Sequence, residues 1–151
     1  MKPHRKALAA SYQRYWVELG QTLCLGRTSQ EIVAGYKSAT ALFRRFADGL
    51  TAGADAQFIN RCLAESGAYA AERSSIIAYG AGNGIGLDLV EKPLLGVDRG
   101  VTIKDGMVLT LRVCLQGRQC GSALISRPYR VTSRGLESLV REGEELVTVA
   151  A

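Results

Sequence analysis

The 151-residue chain carries 19 basic and 14 acidic residues for a formal charge of +5, with 47% hydrophobic residues, 17 glycines and 3 prolines. Such a composition excludes disordered and fibrous classes and predicts one folded domain over residues 1–151, large enough for a hydrophobic core. No apolar run reaches the length of a membrane span, and Met1 to Lys6 lead into no signal core, so the expected setting is cytoplasmic, without a membrane partner.

Residues 12–25 are rich in aromatic and β-favouring types and read as strands with a bend near Gly20. His4, ahead of them and the only histidine, is expected in a mobile terminus. Thr28 and Glu31 form a capping-box pattern opening a helix from about Ser29 to Ala47. Its apolar stripe is Ile32, Tyr36, Ala39, Leu42, Phe43 and Phe46. A second helix is predicted from Asp55 to Ser66, with Phe58, Ile59 and Leu63 turned inward. From Ile76 onward the pattern changes to short strands broken by glycines, clearest at 86–90, 108–115, 122–126 and 128–132. Leu136 to Val140 reads as a short closing element, helical or extended, and Glu145 to Ala150 as a last strand. The order predicts an α+β domain with a mostly antiparallel sheet and two principal helices on one face.

Four cysteines (Cys24, Cys62, Cys114, Cys120) sit in separate elements with no close metal-ligand pair, and are expected as buried free thiols. Cys114 and Cys120 are placed to face each other across a hairpin, but a cytoplasmic chain gives little reason for a bond. Basic residues gather at His4-Arg5-Lys6, Arg44-Arg45, Arg127 and Arg130, which favours a small anionic ligand or acidic partner. No helix-turn-helix, zinc finger or aromatic-basic RNA motif accompanies them, which argues against nucleic acid. The alternating glycines of Gly80-Ala-Gly-Asn83-Gly-Ile-Gly86 are not followed by a capped helix, so they are no phosphate cradle.

That glycine stretch, continued by Val90-Glu91-Lys-Pro93 and by Lys104-Asp-Gly-Met-Val-Leu-Thr-Leu-Arg112, resembles the pita-bread metallopeptidases: proline aminopeptidases, prolidases, methionine aminopeptidases and creatinases. Tyr15-Trp-Val-Glu18-Leu-Gly-Gln21-Thr22 is similar to the family's tyrosine-x-x-aspartate-x-x-arginine-threonine segment, and Thr132-Ser-Arg-Gly135-x-Glu137-x-Leu139 to its terminal turn pattern. The resemblance covers about Tyr12 to Glu145 and implies a partial pita-bread fold with a curved sheet. The five positions where it implies metal ligands read Ala7, Glu18, Asn83, Arg112 and Ser126, and Val90 stands at a substrate-contacting histidine.

Two adjacent divalent metals need a cluster of anionic oxygens, commonly with an imidazole. One carboxylate remains of the five, and Arg112 brings a permanent cation that cannot ligate a metal. The expectation is no metal, no cofactor and no metallopeptidase activity, with Arg112 paired to Glu18 in the metals' place. Two outcomes are open for the cleft. It is packed over and these residues stabilise the fold, or it is repurposed. In the second case Glu18, Arg112 and Glu91 are the catalytic candidates, with Asn83, Ser126, Arg127, Tyr15 and Val90 binding substrate. Tyr12, Tyr15 and Trp16 suit an aromatic wall or ordinary core packing. Without a histidine beside Ser126 or a cysteine, triad and thiol–imidazole chemistry are set aside. The functional expectation is a non-catalytic partner or scaffold subunit. The alternative is a small metal-independent enzyme of specialised metabolism, performing proton transfer or cyclisation on an anionic small molecule. Compared with the family the chain begins late, which predicts exposed strand edges covered by a homodimer, or by a heteromer with a fuller family member.

Overall fold

The computed structural model describes residues 4–65, 80–117, 121–141, 143 and 145–150; Ser66, Ile76 and Cys120 of the expectations above lie outside them. The chain opens as a hairpin of β1 (His4–Tyr12) and β2 (Tyr15–Leu25), paired without interruption from His4↔Leu23 to Tyr12↔Tyr15. Gln13 and Arg14 form its two-residue turn, both at positive φ (49° and 73°), the arrangement whose twist matches flanking antiparallel strands. This corrects two expectations. The chain from His4 onward is a strand rather than a loose end, and β2 is one continuous strand through Gly20.

Helix α1 (Gln30–Gly49) buries Ile32, Tyr36, Ala39, Leu42, Phe43 and Phe46, the stripe read from the sequence, together with Gly35. Its N-cap is Ser29, whose side chain accepts from the Ile32 amide, while the Thr28 hydroxyl is buried without a partner. Helix α2 (Phe58–Glu65) starts three residues later than expected, because Asp55 accepts the Gln57 amide (2.8 Å) in a turn and bridges to Thr102.

The remaining strands are β3 (Gly82–Gly84), β4 (Glu91–Leu94), β5 (Val108–Gly117), β6 (Gly121–Thr132), β7 (Gly135–Ser138) and β8 (Val147–Val149). The sheet order is β1-β2-β6-β5-β3-β4, with β7 beside β6 and β8 parallel to β2. The two expected strands 122–126 and 128–132 are one. Pro128 fits inside it because its carbonyl accepts from the Leu139 amide (3.1 Å), so its N-H-less side faces away from β5. Residues 86–90, expected as a strand, form a bent loop instead.

Side-chain alternation gives this curved, largely antiparallel sheet two distinct faces. Leu109, Leu111, Val113 and Leu115 of β5, with Ala123, Ile125, Tyr129 and Val131 of β6, join the α1 and α2 stripes in the core. Thr110, Arg112 and Cys114, with Ser126, turn to the other face, where the site lies. The result is an α+β half of a pita-bread architecture.

Candidate functional site

Cross-strand register assembles the site before any side chain is considered. Ala7 pairs with Gly20, Gly20 with Ser126, and Ser126 with Arg112, so four strands contribute one row across the sheet. Gly20 permits this closeness: a Cβ there would stand 2.7 Å from the Ser126 Cβ and 3.1 Å from the Leu124 side chain. The β2–β6 ladder has this single backbone pairing, and the buried Thr22 hydroxyl extends it by accepting the Leu124 amide (2.7 Å) and donating to the Leu124 carbonyl (3.1 Å).

Glu18 stands two residues from Gly20, on the same face. Arg112 donates to it through Nη2 to both oxygens (2.7 and 2.7 Å) and through Nε to Oε1 (3.0 Å). The Ser126 hydroxyl donates to Oε1 at 2.8 Å from a fully buried position. The two charged side chains are only 12% and 17% exposed, so solvent screens the pair weakly. Above it opens a cleft of about 540 Å³, lined by the pair itself, by residues 5 and 7–9 of β1, and by Leu89, Cys114 and Leu124.

Asn83 is buried, and its Nδ2 donates to the Gly84 (2.7 Å) and Leu89 (3.1 Å) carbonyls. It thereby fixes the 85–90 loop, which Trp16 also holds through its amide to the Gly86 carbonyl (2.8 Å). Gly82, at φ 135°, lets β3 lie against β5, since a Cβ there would fall 2.1 Å from the Thr110 carbonyl oxygen. Glu91 folds back over Gly86 and accepts the Asp88 amide (2.8 Å) within the same loop. Val90 and Tyr15 are exposed, and neither lines the cleft.

Arg127 is elsewhere. It projects from the core face of β6, opposite to Ser126, where its Nη1 donates to the Gly20 and Ser126 carbonyls and its Nη2 to the Gln21 side chain and the Gly143 carbonyl (3.0 Å). Adjacency in sequence with Ser126 grouped the two, but consecutive residues of a strand face opposite ways. The structure thus brings together Glu18, Arg112 and Ser126 of the expected residues, keeps Asn83 as a loop anchor, and separates Arg127.

Two cleft residues escaped the sequence reading. Arg5, seen there only as part of a charge cluster, lines the cleft and donates to the Cys114 sulfur (3.2 Å). The two-residue turn at Gln13-Arg14 carries the signal, because it fixes Arg5 opposite Thr22 on the Glu18 face. Burial pushes the Cys114 thiol above its ordinary value of 9.0, against the opposing pull of the Arg5 hydrogen bond and the nearby Arg5 and Arg112 charges.

This curved, largely antiparallel sheet with its two principal helices is a partial pita-bread fold. Residues 7–133 match metallopeptidase family M24, and the chain belongs to that family. Among solved structures it is similar to the dipeptidase PepE from Mycobacterium ulcerans, with 20% identity, TM-score 0.86, and coverage of 99% of this chain and 40% of that one. It is also similar to the X-Pro aminopeptidase from Thermotoga maritima (16% identity, TM-score 0.82, 97% and 41% covered). A third is the N-terminal domain of the FACT complex subunit SPT16 from Eremothecium gossypii (13% identity, TM-score 0.81, 99% and 36% covered). The chain therefore spans about 40% of the length of the first of these structures. No curated protein sequence matches it.

The family's metals do not fit the donors present. Ala7 has no donor atom, Arg112 places a cation in the row, and Ser126 contributes a hydroxyl already given to Glu18. Among the described residues no three His, Cys, Asp or Glu side chains are grouped to hold a metal ion.

Proposed function

We propose that this protein is a metal-independent member of family M24 without peptidase activity, acting as a non-catalytic partner or scaffold subunit. The observation that carries this reading is the state of Glu18. It is the one carboxylate at the five ligand positions, and both its oxygens are engaged by Arg112, with Ser126 on one of them. A carboxylate bound in this way has little acceptor capacity left for a metal or a substrate proton. The ion pair places a guanidinium beside the carboxylate, at one of the positions where the family resemblance implies metal ligands. The likeness to a domain described as part of a complex subunit supports a partner role for such a scaffold.

The test is metal content after equilibration with manganese, cobalt or zinc and dialysis, alongside hydrolysis of Xaa-Pro dipeptides. The expected result is substoichiometric metal and no hydrolysis. Two bound divalent ions per chain overturn the reading.

A second reading, a small metal-independent enzyme acting on an anionic small molecule by proton transfer or cyclisation, is favoured by one observation. The open cleft holds two guanidiniums, Arg5 and Arg112, against the single carboxylate Glu18. Thermal stabilisation by small carboxylates that is lost in Arg5→Met favours this reading; no stabilisation by any of them favours the partner role.

A further inference from the structure

We propose that the pocket around Arg127 is a second small-molecule site, on the face of the sheet away from the cleft, and that it takes a zwitterionic α-amino acid with an apolar side chain. Leu19 and Gln21 alternate along β2 with Glu18 and Gly20, so they turn away from the ion pair. With Arg127, Gly143, Glu145 and Val147 they line a pocket of about 410 Å³, room for a small molecule. The inference is independent of the reading of Glu18 and Arg112 given above.

Arg127 is the group that calls for a ligand. It is 3% exposed, and its hydrogen bonds go to the Gly20, Ser126 and Gly143 carbonyls and the Gln21 side-chain oxygen, all of them neutral. Its Nε is buried without a hydrogen-bond partner. Among the described residues no carboxylate forms an ion pair with it, and Glu18 is held by Arg112 on the opposite face. A buried guanidinium bonded only to neutral oxygens, with one N–H left over, is costly until an anion compensates it. A carboxylate does so with a charge-assisted hydrogen bond.

Glu145 selects the rest of the ligand. Its backbone carbonyl accepts from Gln21 Nε2 (2.5 Å) and from the Tyr36 hydroxyl (3.4 Å), which ties this residue to β2 and α1. Its exposed side chain belongs to the same pocket and is not paired with Arg127, so a molecule lodged there meets both charges. A plain carboxylate beside Arg127 would be opposed by Glu145, whereas an ammonium group next to that carboxylate answers it. Leu19 and Val147 supply apolar surface for the side chain.

Amide NMR spectra of the full chain, recorded during titration with L-leucine, are expected to shift saturably at Gln21, Gly143 and Val147 and not at Leu89 or Cys114 in the cleft. Isocaproate, which lacks the ammonium, and leucinamide, which lacks the carboxylate, are expected to bind about tenfold more weakly or not at all. Glu145→Gln, a change at an exposed side chain, is expected to bring leucine down to the affinity of isocaproate, while Arg5→Met in the cleft leaves leucine binding unchanged. The absence of saturable shifts, equal binding of leucine and leucinamide, unaltered leucine binding in Glu145→Gln, or shifts confined to the cleft overturns the proposal. Each of these outcomes leaves the metal-site reading intact, because Arg127 takes no part in the Glu18–Arg112 pair.

Discussion

Arg112 holds Glu18 across 94 residues of sequence, its Nη2 donating to both carboxylate oxygens at 2.7 Å. The two side chains come from β5 and β2, strands that are not neighbours, and β6 lies between them. Ser126 on that middle strand closes the arrangement from below. A pair this buried is conditional in its effect: each charge is tolerable because of the other.

Removing one partner should therefore cost more than removing both. Arg112→Met or Glu18→Leu alone is expected to lower the unfolding free energy by about 3 kcal/mol, and the double variant by less than either single change. Urea unfolding of the full cycle measures the coupling; additive losses would refute it.

The strand junction that positions Glu18 depends on Gly20 and Thr22. Gly20→Ala brings a methyl within 2.7 Å of the Ser126 Cβ and is expected to cost about 1–3 kcal/mol through strand displacement. Thr22→Val leaves the Leu124 amide and carbonyl without their hydroxyl partner, at a comparable cost of about 1–3 kcal/mol. Chemical denaturation of both variants tests this. A control at exposed Tyr15, changed to Ser, should stay within about 0.5 kcal/mol of the parent.

Restoring donors should restore metal affinity only as a set. The quadruple variant Ala7→Asp, Asn83→His, Arg112→Glu, Ser126→Glu is expected to bind manganese or cobalt by calorimetry, while the parent chain and Arg112→Glu alone do not. Binding by the parent would show that the present donors suffice after all.

Stability should fall at alkaline pH. Burial raises the Cys114 thiol, and the Cys62 thiol likewise, above the ordinary 9.0. Above about pH 9 the unfolded chain releases these protons while the folded chain retains them, so stability is full below that pH and declines as it rises. Cys114→Ala is expected to flatten the decline measured by denaturation between neutral and alkaline buffers; an unchanged slope would exclude Cys114 as its source.

The sequence by itself determined the α1 stripe from Ile32 to Phe46, because a helical period is written in consecutive residues. Through the glycine and proline scaffold it also determined the family, and it showed that the five ligand positions keep one carboxylate. The pairing of Glu18 with Arg112 followed from those aligned positions and a charge argument. Only the tertiary structure decided which faces meet. Arg127 stands next to Ser126 in sequence yet on the other side of the sheet, and Arg5 reaches the cleft from a strand mistaken for a loose end. Strand alternation fixes that neighbours oppose, but which neighbour faces the cleft depends on register, and register is set by turns and close approaches such as Gln13-Arg14 and Gly20.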